Sequence, residues 1–318
     1  QASANTIHSA PDKEGPGTMS SMGLKTNISY ALMASSALAI PVAAHAQTPT
    51  SWPDGSNTMV AQQPTQAASA INRWEYLTKA DNLSFADYAG FITSYPNFPK
   101  QELLQLRAEN ALDRDAATPQ ALVQFFDSNP PLTNSAKARY ALALAAMNRG
   151  EARELARDAW RNGTMSGPAE AYMQGLFGQS FTPEDQDARM DALLWQENLE
   201  AASRQILRVS PAYREMAQAR LALLQGSTPS SAGLNVPSSA MNDSGYVYNL
   251  ARYYRSSGQL PSAINLLSTR ANFASPAHDG TDFVVESLRV AQGADARSAV
   301  NIASKVDDLF APTHGRLD

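Results

Sequence analysis

From Ile71 onward, apolar side chains recur at three- and four-residue intervals, and Gly, Pro, Asn or Ser breaks each run. That period puts the apolar residues on one face of an α-helix, and no period-2 run of useful length accompanies it. Ala152, Leu155, Ala156, Ala159 and Trp160 form one stripe, with Arg153, Glu154, Arg157 and Asp158 turned away. The stretch before it, 134–147, is apolar around most of its circumference through Ala136, Tyr140, Ala141, Leu142, Leu144, Ala145 and Met147, which predicts an inner helix covered on two sides. Asn148-Arg149-Gly150 joins the two. Gly150 is expected to take the left-handed conformation that ends a helix and starts a tight hairpin.

The unit recurs. Val247, Leu250, Ala251 and Tyr254 make a stripe, Ser256-Ser257-Gly258 turns, and Leu260, Ala263, Ile264 and Leu267 return. A third pair runs Val284, Leu288, Ala291, then Gln292-Gly293, then Ala299, Ile302, Ala303 and Val306. Unequal helices are expected near 103–112, 119–126, 169–177, 184–195 and 211–224. The spacing is less regular than the roughly 34-residue tetratricopeptide period. The expected fold is therefore all-α, an irregular α-superhelix (solenoid) of stacked, tetratricopeptide-like helical hairpins over 71–318. A low-complexity segment at 226–245, GSTPSSAGLNVPSSAMNDSG, interrupts it and reads as a linker between two helical lobes or a loop laid over the surface, the second favoured because the helix-pair pattern resumes unchanged after it.

Composition narrows the chemistry. A net charge of −5 with 17% charged residues and no basic block lacks the footprint for neutralising phosphates, so nucleic acid is not an expected partner. The absence of Cys removes disulfides, thiolate metal sites and Cys nucleophiles, and four His are too few for a multi-His centre. No metal and no cofactor is expected.

The N-terminal part reads as an address. Lys25, an apolar run over 28–42 and Ala44-His45-Ala46 before Gln47 have the order of a secretory signal peptide, 22–46, cleaved between Ala46 and Gln47. The run is shorter than the roughly 20 residues of a membrane span, so export to the periplasm without a stable anchor is expected. Residues 1–21 read as an upstream extension, and 47–70, rich in Gln, Pro, Ser and Thr, as a flexible mature terminus. His8 and His45 leave with the leader, and His278 and His314 stay.

Carboxylates are the abundant catalytic-type groups. Glu184, Asp185, Asp187 and Asp191 follow Thr182-Pro183 and read as helix capping, since a two-carboxylate glycosidase needs both groups in one cleft. Arg107 with Glu109, and Arg153 with Glu154, read as exposed surface charge. Phe85, Tyr88, Phe91 and Tyr95 share one helix face and read as a core stripe rather than a sugar-stacking strip, and Trp160 and Trp195 as packing anchors.

The wording of the chain adds a resemblance. Residues 85–99, FADYAGFITSYPNFP, followed by 103–109, LLQLRAE, resemble the N-terminal helical domain of soluble lytic murein transglycosylases, with Phe98 where that family more often has Trp. Pro131-Leu132-Thr133, Ala159-Trp160-Arg161, Phe177-Gly178, the run 184–195 with Gln186 where a His is commoner, and Ala219-Arg220-Leu221-Ala222-Leu223 follow in the family's order. The resemblance covers about residues 72–225 and extends more loosely beyond. It implies a ring-like superhelix in the periplasm, joined to a C-terminal lysozyme-like domain. That domain cleaves peptidoglycan between N-acetylmuramic acid and N-acetylglucosamine to 1,6-anhydro products, using one Glu as acid and then as base. In the family that Glu precedes Ser and a Gly-Leu-Met-Gln block. Glu286-Ser287 is present here, but Leu288-Arg289-Val290-Ala291 follows, and Glu286 reads as an exposed helix position. The expectation is a chain truncated before its catalytic domain, with no catalytic residue of its own, whose partners are peptidoglycan glycan strands and that missing domain. The alternative is a periplasmic helical-repeat scaffold that binds a protein partner without glycan chemistry.

Overall fold

The structure is a computed structural model that describes residues 65–311. The leader, the Ala46/Gln47 cleavage position, residues 1–64 and His314 lie outside the described residues. Fourteen α-helices and no strands occur among the described residues: α1 (Gln66–Lys79), α2 (Phe85–Ser94), α3 (Gln101–Ala111), α4 (Pro119–Phe126), α5 (Asn134–Ala146), α6 (Ala152–Arg161), α7 (Gly167–Phe177), α8 (Pro183–Trp195), α9 (Leu199–Gln205), α10 (Pro211–Leu224), α11 (Ser244–Ser256), α12 (Leu260–Thr269), α13 (Gly280–Ala291) and α14 (Ala296–Ala303). None is long and apolar enough to cross a membrane.

Local chemistry sets the helix starts. Thr65, Ser84, Thr118, Thr133, Ser166, Thr182, Asn198, Ser210, Asp243, Asp279 and Asp295 each accept a backbone N–H of the first turn through the side chain. Each such cap is worth about 1 kcal/mol, so these starts are written in the sequence itself. Thr65 and the Ala-rich turn after it begin α1 at Gln66, inside the segment expected to be loose. The short helix α9, capped by Asn198, was not expected.

Each helix packs chiefly on those one or two places away in the chain, as stacked hairpins do. α5 is buried through Ala136, Ala138, Ala141, Ala143 and Leu144 and packs on α4, α6 and α7, the inner position expected of it. The turn after it departs from expectation: Asn148, not Gly150, takes the left-handed backbone, at φ 56°. Asn tolerates that region through its short polar side chain. Between α11 and α12 the expected glycine, Gly258, is left-handed at φ 77°. In α13 the inward face is Phe283, Glu286, Ser287 and Val290, while Leu288 is 58% exposed. The predicted stripe there is off by one position, because two of the buried residues are polar.

The 226–245 segment lies against α10 and α11 and contains a 3₁₀ turn at Ser238–Asn242. Pro229 and Ala240 are buried and Val236 packs with Leu223 and Tyr246, which is how a surface-laid loop is held. Trp160 stacks on Phe181 at 4.7 Å, and Trp195 on Tyr248 at 4.6 Å. Trp195 thereby carries the end of α8 into the core of α11–α14, the anchoring expected of both tryptophans. Phe85, Tyr88 and Phe91 are likewise buried, while Tyr95 is 38% exposed at the helix end.

Candidate functional site

The four carboxylates around α8 divide into separate structural tasks. Asp185 closes a capping box, accepting the Thr182 backbone N–H at 2.9 Å while its own N–H donates to Thr182 Oγ1. Glu184 sits in the same first turn, where the helix-start N–H and Thr182 hold its carboxyl below the usual range. Asp187 accepts both the N–H and the hydroxyl of Ser210, at 2.8 and 2.6 Å, and so fixes the start of α10. Asp191 is ion-paired with Arg220. Its second oxygen lies 3.7 Å from His278 Nδ1, and Asp187, Asp191, Tyr213, Asp243 and His278 line one polar groove of about 400 Å³. Each of these carboxylates is committed to a helix start or an arginine, so the arrangement is that of clasps rather than an acid-base pair.

Two arginines in this region are fully buried, which the sequence reading passed over. Arg189 lies flat against Trp160, 3.9 Å from the ring centroid, donates to the Gly163 carbonyl at 2.6 Å and meets Glu170 at 3.2 Å. Burial pushes its guanidinium down to about 10, because Glu170 alone offsets the desolvation while Arg204 and Arg208 oppose it. Arg220 is as deeply buried, but Tyr213, Asp191 and Asp243 outweigh the desolvation and hold it above its ordinary value. It also donates to Asn249 Oδ1 at 2.9 Å. The signal in the sequence was an arginine standing at a core-facing position of an apolar stripe, four residues before Leu193 in one case and three before Leu223 in the other.

Two expectations of surface exposure are overturned. Glu109 is 2% exposed and accepts the N–H groups of Leu132 at 2.8 Å and Thr133 at 2.7 Å, pinning the start of α5. Arg107 donates to the carbonyls of Leu77 and Ala80 at 2.7 and 2.5 Å, tying the end of α1 to α3. Backbone groups left over at helix ends need partners, and these long side chains supply them. Glu286 is fully buried rather than exposed. It receives Arg255 Nε at 2.5 Å and Nη2 at 2.9 Å, with Arg289 at 3.5 Å. Arg153 and Glu154 are exposed as expected.

A further groove lies elsewhere, on the N-terminal helices. A groove of about 760 Å³ runs between α2 and α4, within the roughly 300–1,000 Å³ typical of ligand sites. Its floor is Phe85 and Phe125, packed edge to face at 5.4 Å, and its walls are the small side chains Ala86, Ala89, Gly90, Ala117 and Ala121. Thr93, Ser94, Thr118 and Gln124 supply hydroxyl and amide groups along it, with Arg114 and Asp115 in the α3–α4 connection. Small apolar walls beside uncharged hydrogen-bonding groups, over the buried rings of Phe85 and Phe125, suit a ligand that is itself apolar on one face and hydroxylated at its edges.

Set against known proteins, the chain matches no family model, no curated protein and no solved structure.

Proposed function

We propose that this chain is the exported helical part of a soluble lytic murein transglycosylase, and that it holds a peptidoglycan glycan strand in the α2–α4 groove. Cleavage of the strand to 1,6-anhydro products belongs, on this reading, to a lysozyme-like domain outside these 318 residues. The observation that carries the reading is a coincidence of place. The stretch 85–99, which bears the clearest family resemblance, supplies Phe85, Ala86, Ala89, Gly90, Thr93 and Ser94 to the α2–α4 groove, whose volume is that of a ligand site. Pyranose rings present C–H faces that pack on apolar walls such as Ala86, Ala89 and Ala121, and hydroxyls that pair with Thr, Ser and Gln, the combination found there. Glu286, the one residue in a Glu-Ser pair, is spent on Arg255 and supports no acid-base role.

Cosedimentation with purified peptidoglycan tests the binding. A β-carbon built on Gly90 has open space around it within 4 Å, so Gly90→Leu places an apolar side chain in the groove with no strain at its root. Wild type is expected to pellet with peptidoglycan and Gly90→Leu to stay in solution, with thermal stability unchanged or raised. Neither protein should release anhydromuropeptides. Wild type that never pellets with peptidoglycan overturns the proposal.

A further inference from the structure

Resting on that reading of the α2–α4 groove, we infer that the strand held there is recognised through a carboxylate, and that Arg114 is the residue that pairs with it. Arg114 lines the groove and is exposed, and among the described residues its guanidinium makes no hydrogen bond or ion pair. The acids beside it in the chain are already engaged. Asp115 accepts the Phe85 N–H at 2.6 Å, fixing the start of α2, and Asp113 accepts the Ser166 hydroxyl at 2.6 Å with Arg139 3.6 Å away. The groove thus has one uncommitted cation at its rim and one carboxylate turned to a structural task. A guanidinium is a planar fork that matches a carboxylate with two parallel bonds, a match that a hydroxyl or acetamido group does not provide. The remaining groups, Thr93, Ser94, Thr118 and Gln124, suit the neutral parts of a sugar chain. Charge complementarity therefore selects an acidic sugar chain, such as one carrying lactyl carboxylates, over a neutral one of the same backbone. An apolar helix would leave these groups and Arg114 unpaired.

The test compares two ligands of equal length on the whole chain: peptide-free peptidoglycan glycan strands, which carry carboxylates, and chitin oligosaccharides, which do not. Titration calorimetry at low salt is expected to show the acidic strand binding about 10-fold more tightly, the scale of one charge-assisted pair. Arg114→Gln should remove that preference, bringing the two affinities within about 2-fold of each other, while leaving thermal unfolding unchanged. Raising ionic strength should narrow the preference in wild type and not in the variant. Equal binding of both sugars by wild type, or a preference that survives Arg114→Gln, overturns the assignment of Arg114 and leaves the glycan reading standing. Binding of neither sugar overturns the glycan reading itself, and with it this inference. A groove that takes an amphipathic peptide but no sugar does the same.

Discussion

Arg255 on α11 and Glu286 on α13 form a two-pronged ion pair, with Nε and Nη2 each on a different carboxylate oxygen. The Glu286 side chain is 1% exposed and that of Arg255 30%, so the pair joins two helices with its carboxylate out of solvent. Replacing Glu286 with Gln leaves the fork without its charge partner and should cost about 2–3 kcal/mol of stability. Urea unfolding of Glu286→Gln measures this. A loss within a few tenths of a kcal/mol would mean that the residue does not serve the fold.

Gly163 takes φ 83° between α6 and α7, and a β-carbon there would lie 2.6 Å from Gln196 Oε1 and 2.9 Å from the Ala192 side chain. Gln196 Oε1 is not free to move, since it accepts the Thr164 N–H at 2.8 Å. Backbone strain and displacement of that bond act together in Gly163→Ala, which should lose about 2 kcal/mol in thermal or urea unfolding. Gly90→Ala, in a helix with open space, should gain about 0.5–1 kcal/mol by the same measurement, about the helix propensity difference.

Glu109 serves two backbone N–H groups at once. Glu109→Ala leaves both half-buried groups without their charged acceptor and should cost about 1–3 kcal/mol, whereas Glu154→Ala on an exposed face should stay within about 0.5 kcal/mol. The two variants compared by chemical denaturation separate pinning from surface charge.

Arg189 and Glu170 predict an asymmetry. Glu170→Gln strips the buried guanidinium of its carboxylate and should destabilise by about 3 kcal/mol. Arg189→Met keeps packing on Trp160 and removes the charge altogether, so it should cost less than Glu170→Gln. Urea midpoints of the two variants decide it, and the reverse order would contradict the account of burial given for Arg189.

Asp87 supplies the pH dependence. Its carboxyl lies below the usual 3.8 because it accepts from Ser84 and is paired with Arg73 at 2.6 Å. A carboxyl lowered in the folded state binds protons more weakly there than in the unfolded chain. Its contribution is thus complete above the unfolded value and fades as pH falls through the folded one. Asp87→Asn should therefore lose about 1 kcal/mol at pH 7, in the range of a helix cap, and progressively less as pH is taken below the ordinary carboxylate value of 3.8. Denaturation of wild type and variant across that range is the check.

Helix existence was legible because capping and the apolar period are local. Thr118-Pro119, Thr182-Pro183 and Ser210-Pro211 mark three starts, and the structure begins helices at each proline. What the sequence obscured were polar side chains that face inward. Glu109, Arg189, Arg220 and Glu286 have the composition of a surface, and only their distant partners, 23 to 31 residues away, make them part of the core. The α2–α4 groove was hidden for the opposite reason. Ala86, Gly90 and Ala121 carry no distinctive chemistry, and they become a wall only when two helices stand apart at that point.

The long-range side-chain bonds also say how the chain responds to a broken peptide bond. Arg107 to Ala80, Asp115 to Phe85, Glu109 to Thr133, Asp113 to Ser166, Arg189 to Trp160, Asp187 to Ser210, Arg220 to Asn249, Arg255 to Glu286 and Arg270 to Asp308 between them bridge every connection from α2 to α14. A nick in any of these loops leaves its two sides fastened across the cut. A chain nicked once in such a loop is therefore expected to travel as one particle in gel filtration and to part only when denatured.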